Sequence, residues 1–278
     1  LLHAHRQELS GTVKFVFQPA EEGDGGAERM VAEGVLENPR PKACLALHLW
    51  NNEPVGWTGV TSGPVMAAAE IFKLRVAGKG GHGAMPNLTI DPVVAAAHII
   101  TALQTIVSRN VPPLLTAVVS VASLRAGDAF NVIPPFVERS GTIRTFEPTV
   151  RQMVLERFQQ IIEHTAAALN CQVEIDVKSI TPAVINDAQL VQQVQQTIWT
   201  ILPEGELDDS YRTMGSEDMA FMMQDIPGCY FFIGSANPEK GLTYTHHHPK
   251  FDFDERALPL GAGLMTAVVF NMLGPQEQ

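Results

Sequence analysis

The sequence predicts an α/β protein whose parallel sheet is interrupted by a separate α+β domain. Apolar strand patterns alternate with helical patterns near both ends of the 278-residue chain. Between these parts, residues 70–181 show the order β-α-β-β-α-β. A hydrophobic fraction of 45% over this length is sufficient for a sizeable core and for two domains.

The first 50 residues favour a strand–helix–strand unit. Residues 12–17 (TVKFVF) and 43–50 (ACLALHLW) have strand patterns, and residues 25–36 have a helical pattern. This order predicts parallel strands joined by a right-handed crossover, with functional groups at their carboxyl ends. Residues 1–11 predict a further helix that stops at Gly11. Because no capping residue precedes that helix, we expect that an N-terminal portion of the protein is absent from the chain.

The middle of the chain predicts a compact domain of its own. Strand patterns occupy residues 70–78, 115–127, 136–146 and 171–180, and helical patterns occupy 91–109 and 149–170. Asp91 followed by Pro92 is typical of a helix N-cap and first position. The β-α-β-β-α-β order is that of the ferredoxin-like motif, which predicts an inserted α+β domain over residues 70–181.

The helix-rich pattern resumes after Pro182. Helical patterns at residues 188–202, 215–224 and 255–273 flank a short buried strand at 229–235. We therefore assign residues 1–69 and 182–278 to one α/β domain that the inserted domain interrupts.

Composition excludes several classes of partner. The formal net charge of −11 argues against nucleic acid and against anionic membranes. No apolar run is expected to be long enough to span a bilayer. The three cysteines are far apart and flanked by apolar residues, which favours reduced thiols and a cytoplasmic protein.

Two adjacent glutamates, Glu21 and Glu22, follow the first predicted strand. They could be solvated acids in a turn before a helix N-terminus, where the dipole favours them. Alternatively, one could bind a metal while the other serves as a general base, because neighbouring residues at a strand end point in different directions. His48, near the end of the next strand, is either a hydrogen-bonded core histidine or a second ligand.

Two further histidine motifs allow similar alternatives. Residues 245–255 (THHHPKFDFDE) are either a solvated polar loop or a rigid loop shaped by Pro249 for a site. Residues 78–86 (GKGGHGAMP) place glycines around His82, either as a flexible hairpin end or to allow close approach to a ligand. The second motif lacks the ending of a phosphate-binding loop.

Taken in order, these motifs make the sequence recognisable. It resembles the zinc-peptidase-like family of N-acyl-amino-acid amidohydrolases, which includes aminoacylase-like enzymes, hippurate hydrolases and plant auxin-conjugate hydrolases. The resemblance spans essentially the whole chain. Its carriers are FQPAEEG (17–23), LHLWNNEPVG (47–56), GPVMAA (63–68), GKGGHGAMP (78–86), NVIP (131–134), GTIRTF (141–146), MGSEDMA (214–220) and HHHPKFDFDERAL (246–258).

The resemblance implies a mixed, mainly parallel sheet with helices on both faces, in a catalytic domain of residues 1–69 and 182–278. By analogy with the family, Glu21 is the general acid/base, and Glu22, His48 and His247 are metal ligands. The resemblance also implies a divalent metal, two in a complete site, with zinc, manganese, cobalt or nickel all compatible with these ligands.

The inserted domain, residues 70–181, resembles the family's lid and dimerisation domain. The resemblance implies that His82 reaches an active site, that of the partner subunit in dimers, and stabilises the oxyanion. Asn131 and Arg144 match positions that contact substrate, and Arg144 could bind the substrate carboxylate through two hydrogen bonds. A homodimer through this domain is the implied assembly, and a small N-acyl-amino acid or dipeptide is the implied substrate.

The implied reaction is hydrolysis of an N-acyl-amino acid to a carboxylate and an amino acid. A dipeptidase or carboxypeptidase on the same scaffold remains open, because the sequence does not determine the acyl pocket. A non-catalytic dimerising or amino-acid-binding relative also remains open.

One departure from the family pattern concerns the metal site. Relatives of this branch carry a segment of the type H-x-C-G-H-D-x-H, which supplies a cysteine and a histidine to the metals, and this chain has no match to it. We therefore expect the chain to furnish at most half of a two-metal site, and to be weakly active as an N-terminally truncated form.

Overall fold

The computed structural model describes residues 1–23 and 25–274, and divides them into two compact units. Unit 1 comprises Leu1–Met66, Val184–Thr213 and Asp218–Gln278, and unit 2 comprises Ala67–Ala183 and Met214–Glu217. Asp24, within the predicted glutamate motif, and residues 275–278, within the predicted catalytic domain, lie outside the described residues.

Twelve strands and six α-helices form the regular part of the described chain. In chain order, the strands are β1 (Cys44–Pro54), β2 (Trp57–Gly59), β3 (Gly63–Met66), β4 (Ala68–Ala77), β5 (Gly81–His82), β6 (Ala117–Ala126), β7 (Val132–Ile133), β8 (Phe136–Thr145), β9 (Gln172–Thr181), β10 (Val184–Asn186), β11 (Glu206–Asp208) and β12 (Gly228–Ala236). The helices are α1 (Gly26–Ala32), α2 (Pro92–Thr105), α3 (Pro148–Ala168), α4 (Ala188–Ile201), α5 (Ala220–Met223) and α6 (Ala257–Leu273).

Unit 1 contains a mixed sheet in the order β1-β12-β2-β11. The β1–β12 and β11–β2 pairs are parallel, and the β12–β2 pair is antiparallel. Side chains of β12 alternate between two cores, as the pleat requires. Phe231 and Ile233 pack with residues of α4 and α6, whereas Tyr230 and Phe232 pack with Ala220 of α5. The mixed sheet with helices on both faces is therefore as expected.

The predicted strand at residues 12–17 does not form, although the structure describes all six residues. Phe15 and Phe17 are 64% and 87% exposed, and β1 lies at the edge of its sheet. A strand requires hydrogen bonds to a neighbouring strand, and this segment makes no ladder within the described chain. The predicted strand–helix–strand unit is therefore wrong, because only its helix and second strand are present.

Two predicted helices are much shorter than expected. Residues 1–11 form only turns and one turn of 3-10 helix, Arg6–Glu8, none of whose residues is buried. A short amphipathic segment without a packing partner is marginal as a helix. Of the helix predicted over residues 215–224, only the single turn of α5, Ala220–Met223, forms.

Unit 2 has the order β4-α2-β6-β8-α3-β9 along the chain and a four-stranded sheet in the spatial order β6-β8-β4-β9. All three neighbouring pairs are antiparallel. Buried residues of the sheet pack against α2 and α3, with Phe72 and Phe158 in ring contact at 4.7 Å. The predicted N-cap of α2 is confirmed, since the Asp91 side chain accepts hydrogen bonds from the backbone N–H groups of Val93 and Val94.

The expectation that no apolar run could span a bilayer is wrong by length and composition. The helical segment Pro92–Asn110 has 19 residues and a mean hydropathy of 1.2, which is sufficient for a span. Within unit 2, however, its residues Ile99, Leu103 and Ile106 are fully buried in the core. A core helix can meet the same criterion, and these buried residues place one face of the segment in the core of unit 2.

Candidate active site

The predicted site residues are divided between the two units. Unit 1 contains Glu21, Glu22, His48 and His247, and unit 2 contains His82, Asn131 and Arg144.

The glutamate pair of unit 1 lies in a turn, residues 21–23, shortly before α1. The Asp218 side chain is hydrogen-bonded to a residue before this turn and to a residue after it. One oxygen of its buried carboxylate accepts a short hydrogen bond from the Gln18 amide, and the other accepts from the backbone N–H of Ala27 at 3.0 Å. Glu21 is within 4.8 Å of Asp218 by their carboxylate oxygens. The turn is thus anchored at both ends while the Glu22 side chain stays 78% exposed.

His48 lies in the middle of β1, in register with Phe232 of β12, rather than near the strand end as predicted. It faces the same side of the sheet as Trp50, and the two rings meet edge to face at 5.8 Å. Its Nδ1 atom donates to the Leu49 carbonyl oxygen at 2.5 Å. Because a carbonyl only accepts, the proton of the neutral ring is on Nδ1 and the lone pair is on Nε2.

The three consecutive histidines lie in the loop between a 3-10 turn (Pro238–Lys240) and α6. His247 adopts a left-handed backbone conformation with φ of +65°, an uncommon state for a residue with a side chain. Its imidazole is 77% exposed, and its Nδ1 atom lies 3.8 Å from Oε2 of Glu22. His248 is turned differently, because its ring stacks on Tyr244 at 4.3 Å and its Nδ1 accepts from the Lys250 N–H.

His246 is the half-buried centre of this group. Its ring lies 5.1 Å from that of His48, 5.1 Å from Trp50 and 4.9 Å from Phe251. Its Nε2 atom accepts from the backbone N–H of Asn51 at 3.3 Å.

The charge state of His246 agrees with this acceptor role. Burial lowers the pKa of its imidazole, and His48 and His247 lower the pKa further, whereas a hydrogen bond with the Leu49 backbone and the charge of Glu22 raise it. The neutral ring that results can accept from Asn51. His246 therefore interacts with all three predicted ligands while its own Nε2 is engaged.

The three predicted ligands are only partly assembled. Glu22 and His247 face each other, but within residues 1–23 and 25–274 their donor atoms and those of His48 do not all lie within 4.8 Å of one another.

Asp254 anchors the far end of the histidine loop. Its carboxylate is buried and accepts hydrogen bonds from the side chains of Arg256, Asn237 and Lys240 and from the Arg256 N–H. The hydrogen bonds from Arg256, followed by the one from Asn237, hold the pKa of Asp254 well below its usual range. This network joins residues on both sides of the three histidines.

In unit 2, His82 lies in a two-residue strand, β5, which pairs with β7. Its exposed ring accepts a hydrogen bond at Nδ1 from the Ala84 N–H at 3.1 Å. The proton of the neutral ring is therefore on Nε2, where it can be donated to an oxygen. Asn131 lies next to it, since its carbonyl oxygen accepts from the Gly83 N–H at 2.8 Å. The antiparallel pairing of β5 with β7 thus brings His82 and Asn131 together.

Arg144 lies on β8, paired with Ala69 and Val118 on either side. It is half-buried, and it donates hydrogen bonds to Thr142 Oγ1 and to the Ile143 carbonyl oxygen. Burial lowers the pKa of its guanidinium, and the charge of Glu70 raises it.

Comparison with known proteins gives the family. The model of Peptidase family M20/M25/M40 matches residues 1–271. The chain belongs to this family. It is 39% identical over 277 residues to IAA-amino acid hydrolase ILR1-like 4 of Arabidopsis thaliana, which is 98% of this chain and 62% of that protein. It is 38% identical over 268 residues to N-acetylcysteine deacetylase of Bacillus subtilis (strain 168), which is 94% of this chain and 67% of that protein.

The fold comparison agrees with the M20 assignment. The crystal structure of the Bacillus subtilis YXEP protein, described as a dinuclear metal binding peptidase from the M20 family, superposes with a TM-score of 0.81 at 33% identity. The match covers 98% of this chain and 68% of that one. The chain thus spans about two thirds of the length of the M20 relatives that it matches.

Sequence reasoning missed Asp218, Asn51, His246 and Asp254 as parts of the site. All four lie in motifs that carried the family resemblance: Asn51 in LHLWNNEPVG, Asp218 in MGSEDMA, and His246 and Asp254 in HHHPKFDFDERAL. Membership of these motifs is therefore the available sequence signal, whereas the burial of the two acids is visible only in the structure.

Proposed function

We propose that this M20 family member is a metal-dependent hydrolase that cleaves the amide bond of N-acyl-amino acids. The observation that carries the proposal is the pairing of Glu22 with His247 at 3.8 Å, with a second carboxylate, that of Glu21, on the preceding residue. A carboxylate and an imidazole are ligands for a divalent metal, and a neighbouring carboxylate can move a proton. The relatives named as an amino acid hydrolase and a deacetylase support this choice.

The donor chemistry of unit 1 fits a divalent metal. Two donors bound at about 2.1 Å to a tetrahedral metal lie roughly 3.4 Å apart, which is close to the observed 3.8 Å between Glu22 and His247. The proton of His48 is on Nδ1, which leaves Nε2 for a metal, as is usual for histidine ligands whose other nitrogen is hydrogen-bonded. We therefore assign Glu22, His48 and His247 as ligands.

A complete site would hold two divalent metals, and zinc, manganese, cobalt and nickel all suit these donors. When bound, the metal polarises the amide carbonyl and lowers the pKa of water.

Glu21 is the proposed general base. Its carboxylate takes a proton from the attacking water and delivers it to the nitrogen of the leaving amine. A carbon–oxygen bond forms, the carbon–nitrogen bond breaks, and the products are a carboxylate and a free amino acid. Asp218 supports this role, because it holds the turn that carries Glu21 through Gln18 and Ala27.

Unit 2 supplies groups for substrate binding in this proposal. The Nε2 proton of His82 is a donor for the oxyanion of the tetrahedral intermediate. The Arg144 guanidinium can donate two parallel hydrogen bonds to the substrate carboxylate, and Asn131 provides a polar contact with the substrate.

We further propose that unit 2 is the ferredoxin-like lid and dimerisation domain of the catalytic domain. Its element order and its two edge strands, β6 and β9, support this assignment. Exposed edges of this kind can pair across a two-fold axis.

A dipeptidase or carboxypeptidase activity is the second candidate. The YXEP neighbour, described as a peptidase, favours it. The same proton transfer serves both reactions, so only the acyl side of the substrate differs. Comparing kcat/KM for N-acetyl, N-benzoyl and dipeptide substrates discriminates them: amidohydrolase function predicts preference for acyl groups without an α-amine.

The test of the proposal is the substitution Glu21→Gln. We expect kcat to fall by about 10²- to 10⁴-fold while the metal content is unchanged. Glu28→Gln, an exposed glutamate in the first turn of α1, is the matched control and should retain the wild-type rate. Hydrolysis by the Glu21→Gln protein at a near wild-type rate with metal bound would show that the assigned base is wrong. A complete lack of hydrolysis in the wild-type protein with metal bound would favour a non-catalytic relative.

A further inference from the structure

Asn51, on β1, is a buried residue whose side-chain oxygen and both side-chain N–H groups are hydrogen-bonded. It is 1% exposed. Its Nδ2 atom donates to the carbonyl oxygens of Tyr244 at 2.7 Å and Asp252 at 3.0 Å. Its Oδ1 atom accepts from the hydroxyl of Ser235 on β12 at 3.0 Å. One side chain therefore joins two neighbouring strands to two points of the histidine loop.

The two carbonyl groups bracket the three histidines. Because Tyr244 precedes them and Asp252 follows them, the pair of hydrogen bonds closes the loop against the end of β1. The Ser235 hydroxyl orients the amide, since it occupies the oxygen and leaves both N–H groups for the loop. This arrangement restricts where His247 can lie relative to β1.

The backbone of Asn51 adds a second link to the same loop. Its N–H donates to Nε2 of His246, and the His246 ring packs against Trp50 and Phe251. His246 also contacts the ring of His48 edge to face. The proposed ligand His48 and the loop residue His246, which precedes the proposed ligand His247, thus belong to one packed group.

We propose that Asn51 is a positioning residue, which clamps the loop carrying His247 onto β1 and so sets the separation between the proposed ligands. This inference rests on the proposed metal-binding function of unit 1. Asn51 itself does not touch metal or substrate in this role.

The chain offers a matched control for this role. Asn186, on β10, is also buried at 3% exposure, and its Nδ2 donates to the carbonyl oxygens of Thr61 and Tyr230. Its Oδ1 accepts from the Tyr230 N–H. Replacement of either asparagine leaves buried groups without partners, so both variants lose stability. Of the two, Asn51 alone is hydrogen-bonded to the histidine loop.

The experiment compares Asn51→Ala with Asn186→Ala by native-state hydrogen exchange and by titration with Co²⁺ alone, followed by its visible absorption. Asn51→Ala should accelerate exchange in residues 244–253 by about tenfold over the control. It should raise the Kd for Co²⁺ by about tenfold or more, the usual effect of losing a group that orients a ligand. Asn186→Ala should leave both quantities within about twofold of wild type, which is within the scatter of single contacts.

Several outcomes would overturn the clamp. If Asn51→Ala exchanges in the loop no faster than Asn186→Ala does, the loop is not held by Asn51. If exchange accelerates but Co²⁺ affinity and absorption stay unchanged, Asn51 is structural and does not position a ligand.

Two further variants keep the test decisive. If Asn51→Ala does not fold, Ser235→Ala removes only the hydrogen bond that orients the amide, and it should give a smaller rise in both quantities. If neither the loop exchange rate nor the Kd for Co²⁺ rises in Ser235→Ala, the proposed role of Asn51 is wrong.

His247→Asn separates failure of this inference from failure of the proposed function. If His247→Asn leaves the Co²⁺ affinity unchanged, the ligand assignment is wrong. Loop exchange alone then decides whether Asn51 holds the loop.

Discussion

The Nδ1 atom of His247 lies 3.8 Å from Oε2 of Glu22, although the two residues come from opposite ends of unit 1. Both side chains are more than three-quarters exposed, so neither is held there by burial. Their positions are set by the backbone segments that carry them, and buried side chains hold these segments. Asp218 is hydrogen-bonded to the turn of Glu22, and Asn51 and Asp254 are hydrogen-bonded to the loop of His247. The pair is thus assembled by buried polar anchors rather than by its own packing.

Replacing His247 by Asn should weaken metal binding without unfolding the loop. Asparagine tolerates the left-handed conformation that His247 adopts, so the backbone can keep its φ of +65°. The imidazole donor is lost, and the Kd for Zn²⁺ should rise by more than about tenfold, since even loss of an outer-shell group has this effect. Isothermal titration of the metal-free protein with Zn²⁺ measures the change.

His248→Asn is the control for this substitution. His248 stacks on Tyr244 and accepts from the Lys250 N–H, and it does not face Glu22. Its replacement should leave the Zn²⁺ affinity near that of wild type. Equal loss of affinity in both variants would mean that the loop as a whole matters and that His247 is not the ligand.

Acid should loosen the histidine loop through Asp254. Hydrogen bonds from Arg256 and Asn237 hold the pKa of Asp254 below its unfolded value of about 3.9. A lowered pKa stabilises the native state above the unfolded value, and this stabilisation is lost as the pH falls below about 3.9 toward the folded pKa. Asp254→Asn should therefore have a lower Tm at pH 7 and a flatter decline of Tm below about pH 4.

Thermal unfolding from pH 7 to pH 3 tests this expectation. Asp252→Asn is the control, because that carboxylate is exposed, accepts from the Phe253 N–H, and its replacement should leave the wild-type profile intact. If Asp254→Asn and wild type decline in parallel with acid, the ionised Asp254 does not stabilise the folded protein.

A methyl group at Gly26 should displace the glutamate turn. A Cβ atom there would lie 1.7 Å from the Pro19 carbonyl oxygen, so the main chain just before Glu21 and Glu22 would have to move. Gly26→Ala should lower the free energy of unfolding by about 2 kcal/mol, typical of an overpacked site. It should also weaken Zn²⁺ binding, because the moved segment carries Glu22. Urea unfolding and metal titration measure the two effects.

Gly263→Ala is the control, in which the added methyl group should stabilise the protein instead of displacing the main chain. Gly263 lies inside α6, and a Cβ atom there would meet nothing within 4 Å. Alanine is favoured over glycine in a helix interior, so this variant should gain roughly 0.5 to 1 kcal/mol. A stable Gly26→Ala protein with unchanged metal affinity would show that the turn accommodates the methyl group without moving Glu22.

Local sequence signals predicted the elements that carry their own stabilising features. The N-cap Asp91, the first-turn Pro92 and the periodic apolar residues of α2 and α3 lie within a few residues of one another, and both helices form. Residues 12–17 have an equally good strand pattern but form no strand and leave Phe15 and Phe17 exposed, because a strand depends on a partner elsewhere in the chain.

The same distinction applies to the candidate site. The motifs pointed to Glu21, Glu22 and His48 as candidates, and the family resemblance selected His247 among the three histidines. The separation of the three proposed ligands, however, depends on long-range anchors. Asn51 could not be found in this way, since its partners are the carbonyl oxygens of Tyr244 and Asp252, and backbone groups leave no mark on the sequence.

By itself, the sequence determined the two helices and the four sheet strands of unit 2 and the chemical groups available for a metal site, whereas the mixed character of the unit 1 sheet was implied by the family resemblance. The unit 2 elements and the chemical groups follow from apolar periodicity, capping residues and side-chain chemistry, which act locally. Only the tertiary structure decided that Glu22 meets His247, that His246 is engaged with Asn51, and that residues 12–17 form no strand within the described chain. Each of these depends on hydrogen bonds and packing between segments far apart in the chain, so no local pattern can specify them.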